Sequence, residues 1–223
     1  MKILLISDTH NQHSKLDLPD ADIIIHSGDM SGRGEKYEIT DFLIWYSNLP
    51  YKHKILIAGN HDNVFENDEQ WCLEQMPENI IYLNDNSTII EGINIWGSPI
   101  SPFFYDWAFN RLRGNDIKKH WDLIPDNTDI LITHGPPYGF GDEVCQRHRK
   151  PGEDPKRGCV DLLEVIERIK PKLHVFGHIH EKAGDIETNG ETVFVNASSI
   201  DENYYIKIKP YVLIDYDKIE NYK

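Results

Sequence analysis

Residues 2–10 read KILLISDTH, a short apolar run that stops at Asp8 with His10 two positions on. A run this short, bounded by polar residues, favours a buried strand over a helix. The same arrangement recurs along the chain. ADIIIHS (21–27) leads into Gly28-Asp29, KILIA (54–58) into Gly59-Asn60-His61-Asp62, DILIT (129–133) into His134-Gly135, and KLHVF (172–176) into Gly177-His178. Each strand delivers a polar cluster at its carboxyl end, where ligands collect in open α/β sheets.

Between these runs the apolar period becomes helical. Ile39, Phe42, Leu43, Tyr46 and Leu49 mark a helix over 37–49 that Pro50 stops, and Leu162, Leu163, Ile166 and Ile169 mark another over 160–170 before Pro171. Strands alternating with helices give an α/β class. NIIYLNDNSTIIEGINIWGSP (79–99), and ETVFVNASS (191–199) through YVLIDYD (211–217), read as hairpins and strands with little helix, which calls for a second sheet.

With 223 residues the chain can bury a substantial core without disulfides, and one domain over 1–223 is expected. The net charge of -14 argues against a binder of long nucleic acid, which would need many lysines and arginines to neutralise phosphates. Cys72, Cys145 and Cys159 are odd in number and form no Cys-x-x-Cys pair, so neither disulfides nor a thiolate metal site is expected. Only four consecutive apolar residues precede Ser7, too few for an export signal, and no run reaches membrane-spanning length; a cytoplasmic protein with no membrane partner is expected.

The clusters together supply Asp8, His10, Asp29, Asn60, His134, His178 and His180: two carboxylates, one amide oxygen and four imidazoles. Side chains alternate along an extended chain, so the i, i+2 pairs Asp8/His10 and His178/His180 are expected to point the same way. The set is too rich for one tetrahedral ion, which takes about four ligands, and suits two divalent ions sharing a carboxylate. Nitrogen and oxygen donors without sulfur favour Mn, Fe, Zn, Co or Ni, with Mn the working choice. Two such ions about 3.5 to 4 Å apart lower the pKa of a bridging water and clamp the oxygens of a phosphate ester. His61 is left over as a catalytic proton donor or phosphoryl contact, and Asp62 would hold its ring in the required tautomer.

DTH (8–10), GDM (28–30), GNHD (59–62), THG (133–135) and GHIH (177–180) resemble, in order, the five signature blocks of the calcineurin-like metallophosphoesterases. GSPISPFFYDWAFNR (97–111), ITHGPPYGFGD (132–142), RGCVDLL (157–163), PKLHVFGHIHE (171–181) and VFVNASS (193–199) are similar to the metallophosphoesterase-domain (MPPED) brain proteins and the bacterial class III cyclic-nucleotide phosphodiesterases. The resemblance implies a four-layer α/β/β/α sandwich of two mixed sheets. It implies that Asp8, His10 and His180 bind one metal and Asn60, His134 and His178 the other. Asp29 would bridge them, and Asn60 and His61 would face substrate. The implied activity is phosphodiester hydrolysis, with cyclic nucleotides as leading candidates, through attack by a metal-bridging hydroxide. The alternatives are phosphomonoester or phosphoprotein hydrolysis on the same centre and a non-enzymatic interaction module. The expected partner is a small phosphoester, and the choice between monomer and homodimer is open.

Other residues have less around them. Arg33 is a candidate phosphate contact from the loop after Asp29. Arg147, Arg149, Lys150, Lys156 and Arg157 form either a cationic rim or a solvated loop. Phe103, Phe104, Tyr105 and Trp107 are expected to fill the core rather than stack on a base. His13 is expected at the surface, His26 as a hydrogen-bonding support behind the site, and His53, His120, His148 and His174 as ordinary structural residues. Asn196 is a pocket candidate on resemblance alone.

Overall fold

The computed structural model describes residues 1–223. Its strands are β1 (Lys2–Ile6), β2 (Ile23–Ser27), β3 (His53–Ile57), β4 (Ile80–Tyr82), β5 (Asn86–Ile90), β6 (Ile93–Ser98), β7 (Ser101–Pro102), β8 (Asn110–Arg111), β9 (Ile130–Thr133), β10 (Leu173–Phe176), β11 (Ile186–Thr188), β12 (Val193–Asn196) and β13 (Val212–Asp215). The helices are α1 (Lys36–Asn48), α2 (Asn63–Asn67), α3 (Glu69–Gln75), α4 (Asn115–Trp121) and α5 (Val160–Ile169). The first sheet has the order β13-β1-β2-β3-β4, and the second β11-β12-β10-β9-β6-β5. Both are mixed: β13 runs antiparallel on one edge of the first, and β5 and β11 on the two edges of the second.

The alternation within each strand explains the layering. In β1, Ile3 and Leu5 join Ile23, Ile25, Ile55, Ile130, Ile132 and Val175 in one buried cluster shared by both sheets, while Leu4 and Ile6 join Phe42, Tyr46, Leu162 and Ile166 of the helices in another. Strands buried on both faces read as continuous apolar runs, which is why KILLI shows no polar alternation. The layers are therefore helix, sheet, sheet, helix.

Helix α1 starts one residue earlier than its period suggests because Glu35 and Glu38 form a reciprocal capping box. Helix α5 ends at Ile169, where Lys170 turns left-handed (φ 49°) ahead of Pro171. The short helices α2, α3 and α4 carry too few turns to show a period in the sequence.

Several expectations are corrected. His13 is buried, not exposed: its ring packs 5.4 Å from that of Phe42 and 5.0 Å from that of Trp45, and its Nε2 lies 3.2 Å from an Asp41 carboxylate oxygen. Phe103, Phe104 and Tyr105 are not core: they are 52, 52 and 79 % exposed on the loop between β7 and β8. A two-stranded ribbon this short has no inner face to hold them.

Candidate metal centre

The strands β1, β2 and β3 of one sheet and β9 and β10 of the other all end at the same edge of the sandwich. A parallel bridge between Ser7 and Ser198 joins the sheets there, and the Ser199 N–H donates to the Ser7 carbonyl at 2.8 Å. The residues just past these strand ends converge. Asp8, His10 and His180 have ligand atoms within 4.8 Å of one another, as do Asp29, His134 and His178, and also His10, Asp29 and His61.

The convergence does not use the pleat. Asp8 (φ 51°), His10 (39°), Asp29 (56°) and His178 (68°) all sit in the left-handed region, so the chain turns sharply instead of extending, and side-chain alternation does not apply. Close approach is needed as well. A Cβ at Gly177 would stand 2.1 Å from Asp8 Oδ2 and 2.2 Å from Ser7 Oγ. Gly177→Ala is therefore expected to cost about 1–3 kcal/mol; a urea midpoint equal to that of the native chain would contradict the close approach.

Each group is aimed by a second contact. His10 Nδ1 donates to the Ser31 carbonyl at 3.0 Å and His134 Nδ1 to the Ser27 carbonyl at 3.0 Å, which leaves both Nε2 atoms facing inward. Asp8 accepts the Ser198 hydroxyl at 2.7 Å and the His178 N–H at 3.0 Å, and lies 3.3 Å from His180 Nε2. Asp29 divides its oxygens. Oδ1 accepts the His61 N–H at 2.8 Å, while Oδ2 faces His134 Nε2 at 3.3 Å and His10 Nε2 at 3.8 Å. Asn60 Oδ1 lies 2.8 Å from His134 Nε2.

The structure gives Asp62 another place than the one expected. Its carboxylate accepts the N–H groups of Asp29 (2.9 Å), Met30, Ser31 and Gly59 and the Ser31 hydroxyl (2.6 Å), and makes no hydrogen bond to the His61 ring. The His61 ring is instead held by the Gly32 carbonyl, 2.8 Å from Nδ1. Asp62 thus shapes the loop that presents Asp29, and the tautomer is set by a backbone oxygen that no sequence motif marks. Burial and the neighbouring Asp29 charge push the Asp62 carboxyl up to about 6.

Other expected residues fall into place around this core. His26 Nε2 meets the Thr9 hydroxyl at 3.1 Å, directly behind the Asp8–His10 turn. Asn196 is buried and ties Ile179 to Ser198, so it braces the loops and does not line a pocket. Arg33 is exposed, with only its backbone engaged. Arg147 reaches the Glu202 carbonyl and Asn203, tying the loop to a neighbouring segment, and Arg157 reaches Glu153 within the loop. Trp107 is the residue the sequence misassigned most: its ring stacks on His61 with centroids 4.2 Å apart. Tyr204, unmarked by any motif, lies 5.1 Å from the His10 ring and 5.2 Å from that of His180.

The electrostatics fit a divalent cation. Burial pushes His10 and His178 down to about 4, which keeps them neutral and able to ligate. Burial opposes the charged form of His134 too, but the Asp29 carboxylate outweighs it and raises that ring to about 9; His180 is raised against burial by its hydrogen bond to Asp8. The two carboxylates are in turn held below their usual range despite burial, Asp8 by His180 and Asp29 chiefly by His134. Positive charge is thus favoured beside both carboxylates, which is where a metal would supply it. In addition, His10 Nε2 is buried with no hydrogen-bond partner, and it points at the carboxylate of Asp29.

The profile of the calcineurin-like phosphoesterases matches residues 1–182. The chain belongs to that family. Among relatives of this calcineurin-like phosphoesterase, metallophosphoesterase domain-containing protein 1 of Homo sapiens is 38% identical over 237 residues, covering 96% of the chain and 70% of the relative. The UPF0046 protein C25E10.12 of Caenorhabditis elegans is 39% identical over 218 residues, covering 90% and 76%. The solved structure of phosphopantetheinyl hydrolase from Mycobacterium tuberculosis shares the fold with a TM-score of 0.64 at 12% identity, covering 96% of the chain and 95% of the other.

A phosphoesterase with this donor set is expected to gain stability from its ions. Mn²⁺ at about a hundred times its dissociation constant contributes roughly 2.7 kcal/mol, an upward Tm shift of about 5–10 °C for a chain of this size. Calorimetry with Mn²⁺ and with a chelator reads it, and identical melting curves would argue that no divalent ion binds the native state.

Proposed function

We propose that the chain is a phosphodiesterase acting on small phosphoesters, with cyclic nucleotides first among them, through two divalent transition-metal ions. The observation that carries the reading is Asp29 Oδ2, placed between His134 Nε2 on one side and His10 Nε2 on the other. Asp8, His10 and His180 would hold one ion and Asn60, His134 and His178 the other, with Asp29 shared. When bound, such ions bring the pKa of water toward neutrality and draw charge from phosphoryl oxygens.

The remaining chemistry belongs to the chain. The Gly32 carbonyl accepts from His61 Nδ1 and so leaves Nε2 facing the substrate; with the ring doubly protonated, Nε2 would give its proton to the departing alkoxide and the ring would keep the one on Nδ1. Trp107 stacks on His61 and limits its rotation. The exposed Phe103, Phe104 and Tyr105 beside it offer aromatic faces for a base, and Arg33 offers a cation for a phosphate. No helix is long and apolar enough to cross a membrane.

A panel of para-nitrophenyl monoesters and diesters with cyclic nucleotides, assayed with Mn²⁺, tests the reading. Diesters are expected to show the higher kcat/KM. Faster monoester hydrolysis would sink the diesterase preference, and no hydrolysis of any ester would sink the enzymatic reading.

A further inference from the structure

Cysteine usage alone gives no reason to expect a thiolate site, yet the fold brings a cysteine, a histidine and a glutamate together outside the metal centre. Cys145 precedes a single 3₁₀ turn (Gln146–His148), which brings its Sγ to 3.6 Å from His148 Nδ1. Glu181, far along the chain, places Oε1 2.9 Å from the same nitrogen and also accepts the Cys145 N–H at 2.9 Å. One ligand atom from each of the three lies within 4.8 Å of the others. Cys72 and Cys159 are fully buried elsewhere, whereas Cys145 is partly exposed.

We propose that Cys145, His148 and Glu181 form a separate binding site for a thiophilic divalent cation such as Zn²⁺ or Cd²⁺. A tetrahedral ion with Zn–S near 2.3 Å and Zn–N near 2.0–2.1 Å holds its S and N ligands about 3.5 Å apart. The observed Sγ to Nδ1 distance of 3.6 Å is already that spacing. The Oε1 to Nδ1 distance of 2.9 Å needs to open by roughly half an ångström, since two ligands at 2.0–2.1 Å stand about 3.4 Å apart. His148 is half exposed, which leaves water free to complete the shell.

Binding requires the thiol proton to leave to solvent and the imidazole proton to reside on Nε2, so that Nδ1 offers its lone pair. The sulfur separates this site from the main centre, whose donors are nitrogen and oxygen and accept Mn²⁺; thiolate selects against such hard ions. The site also has mechanical reach. Glu181 follows His180 directly, and Arg147, inside the same turn, binds the Glu202 carbonyl and Asn203 next to Tyr204. An ion here fastens the loop of residues 145–157 to the rim of the metal centre.

Protein already loaded with Mn²⁺ is titrated with Cd²⁺ while the thiolate-to-metal absorption in the ultraviolet is followed. The expected result is one such band per chain, absent in Cys145→Ser, and an affinity lowered roughly tenfold or more in His148→Ala and in Glu181→Gln. Trypsin cleavage after Arg147 and Arg149 is expected to slow when Cd²⁺ is bound. Retained Mn²⁺ content in each variant shows that the fold survives. A band that persists in Cys145→Ser, a native chain with no band at saturation, or an affinity indifferent to His148→Ala and Glu181→Gln would each overturn the proposal, the last because it marks a simple thiol adduct.

Discussion

Asp29→Asn is expected to lower phosphodiester turnover by roughly a thousandfold, about 4 kcal/mol of lost barrier reduction. Asparagine suits the test because it tolerates the left-handed backbone at this position (φ 56°) and its amide oxygen still accepts the His61 N–H. What is lost is the anionic second oxygen facing His134 and His10. Without it, two cations in the centre would repel with no shared anion between them, so elemental analysis is expected to find one ion or none per chain. Two ions retained, with turnover near native, would remove Asp29 from the bridging role.

His61→Ala is expected to reduce kcat by about 10²–10⁴-fold while the ion content stays that of the native chain. The loss depends on the leaving group. An alkoxide departs poorly without a proton, whereas para-nitrophenolate needs little help, so the defect should shrink sharply on nitrophenyl esters. An equal defect on both would show that His61 contacts phosphoryl oxygens and does not deliver a proton. A fall in bound metal would show instead that His61 is itself a ligand, since one of its nitrogens lies within 4.8 Å of ligand atoms of His10 and Asp29.

What was legible in the sequence follows from which forces act locally. Both-face burial makes continuous apolar runs, so the strands that frame the centre stood out, and the polar residues at their ends were visible as interruptions. The convergence of Asp8, Asp29, Asn60, His134 and His178 needed only the general tendency of strand carboxyl ends to meet. The route of convergence was hidden, because left-handed turns at Asp8 and His178 are tertiary compromises between non-glycine residues and no local pattern encodes them. For Asp62 adjacency suggests the wrong partner, His61, while burial demands that its carboxylate satisfy four N–H groups of the loops around Asp29. Trp107 is misassigned and Tyr204 passed over for a different reason. An aromatic residue has the same composition signal in a core and at a rim, and only three-dimensional packing tells them apart.

The left-handed geometry at Asp8, His10, Asp29 and His178 bears on how this chain responds to selection. A side chain in that region costs about 1–2 kcal/mol relative to the usual basin, and glycine escapes the cost. Four such positions store several kilocalories per mole in the residues whose side chains define the centre. A library screened for thermal stability alone, with metal withheld, would therefore drift toward glycine at these positions and lose its donors one by one. Stabilising this protein without disarming it means holding those four residues fixed and seeking gains elsewhere in the sandwich.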